Sequence, residues 1–106
     1  MEKLGLLTLG AFLSFSAFAA ELSESALQGD WLVTHFQNKP DNDNTLWQFH
    51  GEQFIQNLDG LKVPADSYTV APGVIDLGYA KVTVTEFDGE NMEAVMGGFK
   101  YKLIKQ

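Results

Sequence analysis

The chain contains no cysteine and no arginine among its 106 residues, and only two histidines. Without cysteine there is no disulfide framework, no thiolate nucleophile and no attachment point for the lipid of a bacterial lipoprotein. Without arginine there are no planar forks to grip phosphate, and the formal net charge is -7, so nucleic acid and anionic lipid surfaces are excluded as expected partners. A zinc site would need both His35 and His50, from different strands, plus converging carboxylates, and no metal is expected. Asp41-Asn42-Asp43-Asn44 has the look of a calcium loop, but Leu46 stands where the loop needs glycine, so the segment is read as a turn.

Catalytic groups are equally scarce. Beyond residue 19 the serines are Ser23, Ser25 and Ser67, none in a Gly-x-Ser-x-Gly elbow. Glu86, Glu90 and Glu93 cluster about one hairpin without an aromatic cleft, which is the pattern of a solvated turn. The glycines fall singly or in pairs at turns, so there is neither a phosphate loop nor a dinucleotide fingerprint. The expectation is a protein that is not an enzyme and takes no cofactor.

Long apolar runs are missing too, with one informative exception. Residues 4–18 carry no charge, follow Met1-Glu2-Lys3, and end at Ala17-Phe18-Ala19, the small-x-small pattern read by signal peptidase. Fifteen residues interrupted by Gly5, Thr8, Gly10, Ser14 and Ser16 fall short of the ~20 needed to cross a bilayer. Residues 1–19 are therefore expected to be a signal peptide cleaved before Ala20, giving a periplasmic or secreted protein with no membrane span. Cleavage removes one acid and one base, Glu2 and Lys3, so the charge stays at -7.

Residues 20–106 make one domain, small enough to bury only about 60 percent of its unfolded surface. Packing must hold it together, and its ten aromatics (Trp31, Phe36, Trp47, Phe49, Phe54, Tyr68, Tyr79, Phe87, Phe99, Tyr101) are the material available. A polar lead with one helical turn at residues 23–27 precedes a strand at 30–37, where alternation puts Trp31, Val33 and His35 on one face and Leu32, Thr34 and Phe36 on the other. Residues 39–44 are turn chemistry. Strands at 45–50 and 53–58 form a hairpin about Gly51, with Trp47, Phe49, Phe54 and Leu58 together. Short strands at 68–71 and 74–77 flank Pro72-Gly73. Strands at 81–87, 91–96 and 99–105 follow, punctuated by Asp88-Gly89 and Gly97-Gly98. Eight short strands with tight turns predict an all-β antiparallel meander, closed or half-open as a small barrel.

Leu27-Gln28-Gly29-Asp30-Trp31, the Trp47-Gln48-Phe49 strand and the closing Tyr101-Lys102-Leu103-Ile104-Lys105 together resemble the small bacterial lipocalin-like domains of the calycin type. That resemblance implies a meander barrel in which the tryptophan of Gly-x-Trp packs at the closed end against a basic side chain of the last strand. Trp31 with Lys102 or Lys105 would be the matching pair.

Two functions remain open. One is an exported, non-enzymatic binding module that recognises a protein partner in the bacterial envelope through a strand edge, an aromatic patch or the 39–44 loop. The other is a small carrier of an apolar ligand, although a barrel this narrow, furnished with ten rings, is expected to fill its own interior. The candidate ligand or partner residues are Trp31, His35, Trp47, Phe49, Phe54 and Tyr68. His35 is expected as a hydrogen-bonded core residue or a pH-sensitive contact. The protein is expected to be a monomer or weak homodimer.

Overall fold

Alternating polar and apolar residues settle as strand where one face can be buried, and most of this chain does so. The computed structural model describes residues 21–106; the expected leader and its cleavage point lie outside the described residues. One helical turn, α1 (Glu24–Leu27), is capped by Ser23, whose Oγ accepts from the Ala26 amide at 3.1 Å, and it drives Leu27 fully into the core.

Eleven antiparallel strands follow: β1 (Gly29–Phe36), β2 (Lys39–Pro40), β3 (Thr45–His50), β4 (Gln53–Leu58), β5 (Leu61–Lys62), β6 (Asp66–Ser67), β7 (Thr69–Ala71), β8 (Val74–Asp76), β9 (Lys81–Phe87), β10 (Asn91–Met96) and β11 (Phe99–Lys105). All eight expected strands are present. The additional three, β2, β5 and β6, are two-residue pieces, too short to show any alternation. No helix among the described residues is long and apolar enough to cross a membrane.

The sheet runs β5-β4-β3-β1-β11-β10-β9-β8-β7, with β2 added to β1 and β6 to β4. Apart from the short pieces each strand pairs with its successor, and β1 pairs with β11, joining the first long strand to the last. The circuit breaks once, between β4 and β7. There, Asp66 and Ser67 pair with Phe54 and Gln53, while Thr69 to Ala71 pair with β8, and Tyr68 belongs to neither ladder. The result is a half-open barrel whose seam lies at Tyr68.

Inside, the rings form a continuous series. Phe99 stacks on Phe36 (5.5 Å between centroids), Phe36 meets Tyr101 (5.2 Å), and Tyr101 meets Trp47 (4.9 Å). Trp47 then meets Phe54 (5.7 Å), Phe54 meets Phe49 (5.1 Å) and Phe49 meets Tyr68 (5.2 Å). These spacings are those at which tilted and edge-on aromatic pairs attract beyond simple burial. The series runs from the exposed rim at Phe99 to the seam.

At the other end Trp31, wholly buried, donates from Nε1 to the Leu27 carbonyl at 2.8 Å and packs on Phe87. Lys105 Nζ sits 5.6 Å from the Trp31 ring and donates to the Ala26 carbonyl at 3.1 Å. Lys102 points outward toward Glu93, 4.0 Å away, so of the two candidate lysines Lys105 is the one over the tryptophan. Gly29 lies beside this pair: its φ of +116° is strained for any side chain, although a Cβ there would make only an ordinary contact with the Lys105 stem, at 3.4 Å.

Two bulges change the alternation. Thr34 is the extra residue of β1 opposite Lys102 and Leu103, and Thr85 is the extra residue of β9 opposite Glu93 and Ala94. Each threonine hydroxyl lies 3.2 Å from the carbonyl of the facing strand, at Lys102 and Glu93 respectively. The first bulge corrects the sequence reading of β1. His35 pairs with outward-facing Lys102 and leaves the Trp31 face, whereas Phe36 pairs with Tyr101 and joins the ring series. The expected 39–44 loop is also shortened, because Lys39 and Pro40 extend a ladder with Phe36 and His35.

Candidate functional site

The seam opens to solvent as a groove of about 650 Å³. One wall is β7 with the Pro72-Gly73 turn. The polar lead of α1 forms the other wall, and Tyr68 lies between them. Leu22, Val70, Ala71 and Pro72 supply apolar surface, while Glu21, Glu24 and Glu52 stand on its rim. No lysine or histidine lines the groove. Local chemistry explains the wall: Pro72 presets one turn angle and Gly73 accepts a φ of +71°, folding β8 back on β7 and leaving the other margin of β7 unpaired.

Tyr68 holds the seam. Its side chain is 4% exposed, its ring packs on Phe49, and its hydroxyl donates to the Gly51 carbonyl at 2.9 Å. Gln28 Nε2 donates to the Tyr68 hydroxyl (3.0 Å) and to the Gly51 carbonyl (3.0 Å), and Gln28 Oε1 accepts from the Gly51 amide (2.7 Å). One glutamine thus ties the end of α1 to the β3–β4 turn and to the seam.

Burial raises the Tyr68 pKa above the usual tyrosine value, and the negative charge of Glu24 and then of Glu52 adds to the shift, against the opposing hydrogen bond from Gln28. Burial alone raises that of Tyr101. A folded-state pKa above the unfolded one binds the proton more tightly in the native state, so this stability is complete below about pH 10 and is lost as pH rises further. Alkaline denaturation followed by tyrosinate absorbance should therefore begin above about pH 10, and Tyr68→Phe should make it more gradual. A Tyr68→Phe transition identical to wild type in the alkaline limb would refute the assignment.

Of the six residues expected at a site, five form the core. Trp31, Trp47, Phe49, Phe54 and Tyr68 are all buried, and only Tyr68 contributes to a concavity open to solvent. His35 lies apart, partly buried on the outer face, in a shallow hollow of about 280 Å³ shared with Lys100, Lys102, Glu93 and Thr85. Its Nδ1 is 3.1 Å from Thr34 Oγ1. His50 instead contacts Asp30 Oδ1 at 3.2 Å. Among the described residues no three His, Cys, Asp or Glu side chains converge as metal ligands.

The sequence reading missed the groove residues Glu21, Leu22, Glu24, Glu52 and Val70. No local pattern links Glu52 to Glu24, which only the seam brings together. No protein-family model matches this chain, and no curated protein matches it in sequence.

Proposed function

We propose that this chain is a non-enzymatic binding module of the bacterial envelope, exported by its leader, that recognises a protein partner at the seam of a lipocalin-like half-open barrel. The observation that carries the reading is the position of the apolar groove: it is open to solvent and bounded by an unpaired strand margin, a combination that suits an incoming polypeptide. The lipocalin-like likeness draws support from Lys105 over Trp31 behind Gly29, the arrangement its motif implies. The packed ring series weighs against a carrier, because the rings proposed to hold an apolar molecule already contact one another.

Val70, which borders the groove, provides the test. A pull-down from the envelope fraction should recover a specific partner with the wild-type protein and lose it, by at least roughly tenfold, with Val70→Lys. Circular dichroism of the variant checks that the fold is retained. Capture undiminished in a folded Val70→Lys protein would sink the reading. A saturable shift of tryptophan fluorescence on titration with an apolar naphthalene-sulfonate probe would favour the carrier instead.

A further inference from the structure

We infer that the seam groove accepts an extended, basic segment of a partner protein, which lies along the free margin of β7 as an added strand with its lysines or arginines set against Glu21, Glu24 and Glu52. This rests on the reading of the seam as the binding surface, and goes on to specify the chemistry of what binds.

The strand margin is the first argument. Exposed edges are ordinarily blunted by charge, proline or a covering segment. The opposite margin of this sheet obeys that rule through charge, since β5 ends on Lys62. β7, with the sequence Thr69-Val70-Ala71, carries no charge and no bulge, and proline appears only beyond its last residue. Its margin away from β8 makes no ladder pairing, and main-chain pairing at such a margin tolerates many side chains while fixing the ligand as extended.

Charge selects the partner. Three carboxylates rim the groove with no cation among its lining residues, in a protein that has a net charge of -7 and no arginine. The field they generate reaches the floor, where Glu24 and Glu52 both act on the Tyr68 hydroxyl. Complementary charge around an apolar centre accelerates association and rejects partners of the wrong sign. The same carboxylates oppose self-association: two copies joined edge to edge at β7 would bring both sets together, a like-charge arrangement that disfavours the pair.

Fluorescence anisotropy with three short labelled peptides tests the inference on the purified protein. One alternates lysine and valine, one alternates glutamate and valine, and the third is the lysine–valine peptide N-methylated on every backbone nitrogen. The first should bind saturably, with affinity that falls as salt rises, and the other two at least about tenfold more weakly. Both Glu24 and Glu52 are exposed, so the double variant Glu24→Gln/Glu52→Gln keeps its fold and should bind the lysine–valine peptide roughly tenfold less tightly, with a flatter salt dependence. Equal binding of the glutamate peptide, undiminished binding of the N-methylated peptide, or no binding of the lysine–valine peptide overturns the inference. If the peptide fails while Val70→Lys still abolishes partner capture, the basic-strand assignment falls and the binding-module reading stands. A homodimer in analytical ultracentrifugation that dissociates on Val70→Lys would assign the margin to a second copy and likewise overturn it.

Discussion

Trp47→Ala is expected to cost about 3–5 kcal/mol, a large share of the stability of a domain this small. Trp47 is 1% exposed and is the middle member of the ring series, in contact with Tyr101 on one side and Phe54 on the other. Truncation removes the transfer free energy of an indole, opens a cavity that neighbouring strands cannot close, and separates the rim rings from the seam rings. Each aromatic pair lost removes a further ~0.5–1.5 kcal/mol beyond area burial, part of which is contained in the total. A domain of this length is stable by only roughly 4–13 kcal/mol, and no disulfide limits its unfolded state. Equilibrium urea unfolding followed by circular dichroism measures the loss. Tyr79→Ala is the control: that ring is 69% exposed, and the change should stay within about 0.5 kcal/mol. A Trp47→Ala variant that loses less than about 1 kcal/mol would show that the ring series does not hold the fold.

Deleting Thr34 is expected to cost about 1–3 kcal/mol, from the two hydrogen bonds that end on it: its hydroxyl to the Lys102 carbonyl, and the Asp41 amide to its own carbonyl at 2.9 Å. Val33 pairs with Leu103 and His35 with Lys102, so removing the extra residue between them leaves a regular ladder with His35 still outward and Phe36 still against Tyr101 and Phe99. Strain from the shorter chain falls at the end of the strand. Gln37 and Asn38, immediately beyond it, already adopt positive φ (+54° and +65°), and the Gln37 amide is bonded to the Lys100 carbonyl at 2.8 Å. Thr34→Val preserves chain length and loses only the hydroxyl contacts with the Lys102 carbonyl and His35 Nδ1, so it should cost about 1 kcal/mol or less. A deletion variant that lost more than about 4 kcal/mol, as turning His35 inward and Phe36 outward would require, would contradict this account of the register.

Much of the architecture was legible because it is local. Five of the eight expected strands have the bounds read from alternation alone, and Ser23 caps the expected helical turn. The turns at Pro72-Gly73 and Asp88-Gly89 lie where their backbone preferences place them, and Asp88 Oδ1 secures the second by accepting the Glu90 and Asn91 amides. The bulge at Thr34 was not legible. Nothing in Val33-Thr34-His35 announces an extra residue, since a bulge is defined only against the partner strand, and that partner lies nearly seventy residues away at Lys102. Four of the aromatic candidates, Trp47, Phe49, Phe54 and Tyr68, contact one another in the core.

Composition and periodicity by themselves established an acidic, disulfide-free, all-β meander and supplied the rings that fill it, because burial preference and turn chemistry act between near neighbours in the chain. Tertiary structure alone decided that the circuit of strands stops at Tyr68, that His35 faces outward, and that Glu21, Glu24 and Glu52 border one groove. Those outcomes depend on which distant strands pair and in what register, a choice made by the summed packing of the whole sheet and written in no single segment.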